Sequence, residues 1–305
     1  MKLLIYGSAC VDVILRVPHL PRREENLHPS SQRFAVGGCA CNVARVPGFG
    51  GADVRLVTPV GLRGVYGPLV RDELAGLPWA KPVFLPDEEN GCCYCLVEDD
   101  GERTFLSVHG AEYGFRAAWT EGLRGFDLGY VCGLELGERD GAALAAWLET
   151  RPVRRLLYAP GPRAALIDPA LTRRILALSP ILHLNAREAC ALTGADGPEE
   201  AAAALFGQTG EAVVCTLGGQ GCLLMDEHGL RRQAAVPAAA VKDATGAGDA
   251  HCGGLLLGLA RGESLDGAAR LAGRMAAEAV ACEGAAIPAE AVARALAAHG
   301  KDGIE

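Results

Sequence analysis

Six apolar runs along this chain end alike, on a glycine or an asparagine: Leu3–Gly7, Val54–Gly61, Leu128–Gly133, Arg154–Gly161, Pro180–Asn185 and Ala212–Gly221. Stretches rich in alanine and leucine separate them, among them Glu138–Thr150 and Glu199–Gln208. Parallel strands need a long crossover between them, and a helix is the usual one. The alternation therefore predicts an α/β fold around a largely parallel sheet. In open sheets of this kind ligands gather at the carboxyl ends of the strands, which here are the Gly- and Asn-bearing ends.

Two stretches break the alternation. Asp12–Val36 is polar, carries Pro18, Pro21 and Pro29, and reads as neither helix nor core. Asn90–Val108 reads as two β-segments joined by the turn Glu98-Asp99-Asp100-Gly101, a hairpin outside the α/β pattern. Such a hairpin is either an ordinary surface feature or a small lid over a cleft. After Gly254 the chain predicts two Ala-rich helices, near Leu265–Cys282 and Pro288–His299. With 305 residues, half of them hydrophobic and 22% charged, one main domain with a small excursion is the economical partition.

A net charge of −8 and a pI near 5.5 argue against a nucleic-acid partner, whose phosphates need a basic surface. A small phosphate ligand stays open, because a local nest of N–H groups can hold one on an acidic protein. No apolar run approaches the ~20 residues of a membrane span. The opening residues, with Asp12 following a short apolar run, read as a first strand rather than a secretion signal. The expectation is a cytoplasmic protein with no membrane association. The twelve cysteines are scattered, and Cys92-x-x-Cys95 has no second pair to complete a zinc site, so they are expected as reduced, buried thiols.

The densest chemistry lies in Val241–Gly254, "VKDATGAGDAHCGG". Gly246 and Gly248 permit positive φ and close approach, while Ala244 and Ala247 keep the turn free of bulk. An apolar helix follows at once. Free N–H groups and the positive end of a helix dipole would converge there, a setting for a phosphate or for charge developing on one. Asp249 at the helix start could then take a proton from an attacking hydroxyl. Aspartate is also a favoured helix cap, so the stretch alone is equally compatible with a capped helix start.

"DATGAGDAHCGGLLLGL" closely resembles the C-terminal signature of the ribokinase-like (PfkB) carbohydrate kinases, and lacks the Gly-Lys-Ser/Thr of a P-loop. The resemblance implies Asp249 as catalytic base and Gly246, Ala247 and Gly248 as an anion hole. "VGGCACNVA" (Val36–Ala44) is similar to the family's N-terminal signature, implying that Gly37, Gly38 and Asn42 bind the substrate, together with Asp12 at the end of the first strand. "NAREAC" resembles its Asn-x-x-Glu motif, implying Asn185 and Glu188 on the nucleotide side, with Glu188 holding Mg²⁺ through water. "CTLGGQG" resembles its ATP-binding turn, implying Thr216, Gly218 and Gly221 near ATP. "ACEGAA", near Cys282–Ala286, is similar to the loop over the adenine. Asp243 and Thr245 stand where the family's monovalent ion, K⁺, would find ligands. "VEDDGERTFL" is similar to its lid strand, which turns the hairpin into a lid.

The implied fold is a ribokinase-like three-layer α/β/α sandwich with a mostly parallel central sheet and a small β-lid. Residues 12–36 and 90–108 would form the lid; residues 1–11, 37–89 and 109–305 would form the main nucleotide- and substrate-binding domain. The implied activity is ATP-dependent phosphorylation of a sugar hydroxyl, with a homodimer formed through the lid. A nucleoside kinase on the same scaffold and a non-catalytic sugar or nucleotide sensor are the alternatives, the second disfavoured by Asp249. Two departures touch the substrate side. "GLRGVYG" places Arg63 where relatives carry an acid, and "APGPR" (Ala159–Arg163) keeps only the proline and Arg163, implied to bind substrate.

Overall fold

Strand β1 (Lys2–Tyr6) is apolar beyond its first residue because both of its faces are covered. Leu3 and Ile5 enter one core, Leu4 and Tyr6 the other. This computed structural model describes residues 1–300. β1 lies inside a nine-stranded sheet, flanked on one side by β4 (Asp53–Arg63) and the edge strand β5 (Ala80–Glu89). On its other side run β8 (Phe126–Cys132), β9 (Val153–Ala159), β10 (Ile181–Asn185) and β11 (Val213–Thr216). All seven are parallel, and β12 (Cys222–Asp226) and β13 (Gly229–Gln233) close the far edge antiparallel.

Helices cover both faces. On one lie α1 (Cys39–Phe49), α2 (Tyr66–Ala75), α8 (Ala247–Ala260) and α9 (Leu265–Val280), with α10 (Ala289–His299) outside them. On the other lie α4 (Gly141–Glu149), α5 (Pro169–Leu176), α6 (Ala186–Thr193) and α7 (Pro198–Thr209), while α3 (Gly133–Leu136) is a single turn after β8. α8 is buried at every position from Ala250 to Leu259, as a helix apolar all round must be. Its glycines let neighbours close in. A Cβ at Gly253 would stand 2.6 Å from the Val43 carbonyl of α1, and one at Gly254 2.6 Å from Cα of Ala272 in α9.

A second sheet rises from the carboxyl edge of the first. Its order is β3 (Ser31–Gly37), β2 (Cys10–Arg16), β6 (Cys92–Val97), β7 (Arg103–Val108). β2 and β6 run parallel because both continue from parallel strands of the main sheet. Its outer face, with Val11 and Val13, joins Val70 and Leu74 of α2 in one cluster. Asn90 anchors the base of this sheet, donating to the Ala9 carbonyl at 3.1 Å and accepting from the Gly61 N–H at 3.3 Å. The buried Glu112 carboxylate accepts from the N–H groups of Gly91 and Gly110 at 2.8 and 3.0 Å.

The structure departs from the sequence reading in places. Asp12–Val36 reads as outside the core, yet Val13 of β2 is 2% exposed and packs within the main cluster. The helix expected from Glu138 starts at Gly141 after a turn. β5 went unrecognised because it carries Pro82 and Pro86, which an edge strand tolerates. No helix among the described residues is long and apolar enough to cross a membrane.

Candidate active site

Four of the residues singled out in the sequence meet at one wall. Asp249 is in the first turn of α8, Asn42 in the first turn of α1, Asp12 on β2 and Gly37 at the end of β3. Asn42 donates through Nδ2 to Asp249 Oδ2 at 3.0 Å. A Cβ on Gly37 would stand 2.3 Å from Asp12 Oδ2 and 3.7 Å from Asn42 Nδ2, so only glycine lets these polar groups face one space. Gly38, with φ 96°, turns the chain into α1. The side-chain oxygen of Asn42 is buried without a hydrogen-bond partner, an acceptor left over for a ligand donor.

Both carboxylates hold protons more tightly than usual. Burial pushes Asp249 up to about 6; the Asn42 amide opposes this and the Glu188 charge adds to it. Burial, followed by the charges of Asp249 and Asp243, pushes Asp12 up to about 7. A pair poised near neutrality in a cleft is a setting for acid–base chemistry.

The start of α8, like that of α1 beside it, has a positive-φ glycine and no side-chain cap. α6 begins with a reciprocal cap between Asn185 and Glu188, and α9 with Ser264, but α8 begins at Gly246 (φ 76°) with no side-chain cap. Ala247 and Gly248 follow, and a Cβ on Gly248 would meet no heavy atom within 4 Å. An uncapped helix start facing open space can receive an anion.

At the same edge Asn185 and Thr216 are cross-strand partners of β10 and β11. Gly218 and Gly221 both take positive φ in the turn that follows, where the Gln233 carbonyl fills the place of a Gly221 Cβ. Asn185 spends its side chain capping α6, accepting from the Glu188 N–H at 2.9 Å, while Glu188 Oε2 accepts from the Asn185 N–H at 3.0 Å. The second oxygen of Glu188 has no assigned bond among the described residues, and burial raises this carboxyl's pKa. A hydrated divalent ion suits such a group. No three His, Cys, Asp or Glu side chains among the described residues could hold a metal by themselves, so the ion's other ligands would be phosphate and water.

Asp243 is occupied. Its Oδ1 accepts from the Thr245 N–H at 2.8 Å and pairs with Arg103 of β7 at 2.9 Å, and its Oδ2 accepts from the Gly284 N–H at 2.9 Å. Arg163 pairs with Glu138 at 3.2 Å, and the same Glu138 oxygen takes His109 at 2.7 Å. Arg63 pairs with Glu89 at the exposed end of β4, and Ala159 ends β9.

Sequence reading overlooked several residues here. Strand register puts Cys93, Ser107 and Phe105 on the same face of the small sheet as Asp12; the Ser107 hydroxyl lies 3.5 Å from Cys93 Sγ, and Phe105 is 50% exposed. Alternation along the hairpin puts these three on one face, but only the pairing of β2 with β6 makes it the face of Asp12. Glu135, fully enclosed after β8, accepts from the Ser8 N–H at 2.9 Å and is pushed up to about 7 by burial and by the Asp249 charge. No sequence pattern marked it.

Comparison with known proteins agrees over nearly the whole chain. A family model for pfkB family carbohydrate kinases matches residues 1–292. YegV, an uncharacterized sugar kinase of Escherichia coli (strain K12), is 32% identical over 292 residues, covering 90% of this chain and 87% of that protein. The crystal structure of ribokinase from Thermotoga maritima superposes with a TM-score of 0.83 at 22% identity, covering 97% of this chain and 99% of the other. A nucleoside kinase from Burkholderia thailandensis, solved in complex with inosine, gives a TM-score of 0.75 at 25% identity over 98% of this chain and 97% of the other.

Proposed function

The chain belongs to the pfkB family of carbohydrate kinases, and from that premise we propose that it moves the γ-phosphoryl group of ATP onto a hydroxyl of a small sugar or sugar derivative, with Asp249 as general base. The observation that carries this reading is the wall formed by Asp12, Gly37, Asn42 and Asp249 at an uncapped helix start.

Asp12 and the unpartnered Asn42 oxygen grip acceptor hydroxyls against the bare Cα of Gly37. One hydroxyl then lies between Asp249 and the γ-phosphate. Asp249 takes its proton as the new P–O bond forms and the bond to ADP breaks. The N–H groups of the Gly246–Gly248 turn stabilise the charge that spreads over the transferred oxygens. Mg²⁺, held through water by Glu188, would supply neutralisation of the phosphates. The small sheet shields the site from water, which would otherwise compete as acceptor.

Phe105 favours a second reading within the same chemistry. An exposed aromatic on the Asp12 face could stack on a base, so a nucleoside is the alternative acceptor. A panel of pentoses, hexoses, sugar acids and nucleosides, assayed for ATP consumption, separates the two. Turnover of sugars or sugar acids supports the main proposal. Turnover of nucleosides alone, weakened in Phe105→Ala, moves the assignment to the second. ATP left intact with every acceptor would leave a binding-only sensor.

The outer face of the small sheet supports a homodimer. Phe34, Leu106 and Val108 alternate away from Asp12 and are 52%, 59% and 57% exposed. They stand on the two edge strands, β3 and β7, on either side of the strip that α2 covers, and a second copy would remove them from water. Sedimentation should give twice the chain mass, and Leu106→Arg should give monomers; a monomeric native protein would remove this pairing.

A further inference from the structure

The turn that precedes α8 already contains a cation. Arg103 reaches from β7 to within 2.9 Å of Asp243 Oδ1, and the two side chains are only 17% and 16% exposed. The carboxylate also accepts from the N–H groups of Thr245 and Gly284, so its lone pairs are largely committed. The nearby Val280 carbonyl accepts from both Lys242 and Asp243 N–H, at 2.8 and 3.2 Å. The anionic oxygens a potassium ion would draw on here are those of Asp243, and both already accept N–H bonds, from Thr245 and Gly284. A guanidinium fills the approach to the same carboxylate, which leaves no free charge to anchor the ion. The residues present do not fit a monovalent ion.

We propose that the Arg103 guanidinium does the work of a bound monovalent cation: it neutralises Asp243 and fixes the Asp243–Gly248 turn, so phosphoryl transfer needs no potassium. This rests on the phosphoryl-transfer reading of that turn. Arg103 is a positioning residue, acting through Asp243 and not on the reacting atoms.

The source of the charge has a mechanical consequence. Arg103 sits on one edge strand of the small sheet and Arg33 on the other, β3, where it approaches Glu283 at 3.7 Å and lies close to Gly284. Both edges thus touch the two loops that frame the start of α8. A dissolved ion is independent of the small sheet. A guanidinium carried by that sheet stands at the turn only while the sheet is seated over it, so the same element covers the acceptor and organises the anion-binding turn.

Initial rates with Mg-ATP should be the same with potassium, sodium or choline as the only monovalent cation at constant ionic strength. Melting temperature should show no rise specific to potassium. Arg103→Ala should lower kcat by about tenfold or more, with a smaller change in the acceptor KM. Potassium should then restore part of the rate and raise the melting temperature of that variant, while Arg103→Lys stays indifferent to the ion. Saturable activation of the native enzyme by potassium over sodium overturns the proposal, as does an Arg103→Ala enzyme with native kcat. Should Arg103→Ala not fold, the native cation series decides alone. If no acceptor is turned over, the phosphoryl-transfer reading has failed separately, and a potassium-specific rise in native melting temperature still overturns the proposal.

Discussion

Asp249→Asn should bind ATP and acceptor almost as the native protein does, and transfer phosphate about a thousandfold more slowly or worse. The substitution keeps size and shape, and the new amide oxygen can still accept from Asn42 Nδ2. What disappears is the only base on that wall placed at the start of α8. The pH profile provides a second reading of the same group. Burial and the Glu188 charge hold its pKa near 6, above the ordinary carboxylate value. A base must be unprotonated to act, so kcat/KM should fall as the pH drops, first as Asp12 takes a proton near 7 and then through the Asp249 limb near 6. Glu188→Gln removes a raising charge and should move this limb to lower pH. Calorimetry for binding and a coupled assay for turnover suffice, and near-native turnover in Asp249→Asn would remove Asp249 as base.

The parts of this molecule that could be read from sequence are those where one residue type has one physical use. Apolar runs ending in Gly or Asn announced β1, β8 and β10, because strand ends at a ligand edge need turns and caps. The glycines of α8 were visible but ambiguous. Gly246 serves the turn, whereas Gly253 and Gly254 serve helix packing, a distinction only their neighbours reveal. Asn185 and Glu188 were read as nucleotide-side residues, and their spacing is equally that of the reciprocal cap they form. Arg103 was hidden for another reason. A charge in a hairpin is ordinarily solvated, and its partner Asp243 lies far along the chain, so no local pattern joins them. Phe105 required the register of the small sheet, which depends on β2 and β6 pairing across a long stretch of sequence.

The two glycines flanking Ala247 should respond to alanine in opposite ways, and the contrast tests the anion-binding turn directly. Gly246 has φ 76°, and a Cβ there would stand 2.1 Å from the Ala285 carbonyl oxygen and 2.7 Å from Ala285 Cα. Backbone cannot swing aside as a side-chain tip does. The same loop supplies the Gly284 N–H to Asp243, so displacing it disturbs both sides of the turn. Gly246→Ala should therefore cost about 1–3 kcal/mol of stability or more and lose most activity. Gly248 is different: its φ is not left-handed and no atom waits within 4 Å. Alanine is a better helix former than glycine by up to about 1 kcal/mol, so Gly248→Ala should melt no lower than the native protein. Yet its methyl would occupy the open space where the transferred phosphoryl group is to pass, and kcat should fall by about tenfold or more. Loss of activity with undiminished stability is the signature of a space kept clear for a ligand. A fully active Gly248→Ala enzyme would mean that no phosphate passes there, and the start of α8 would revert to an ordinary helix end.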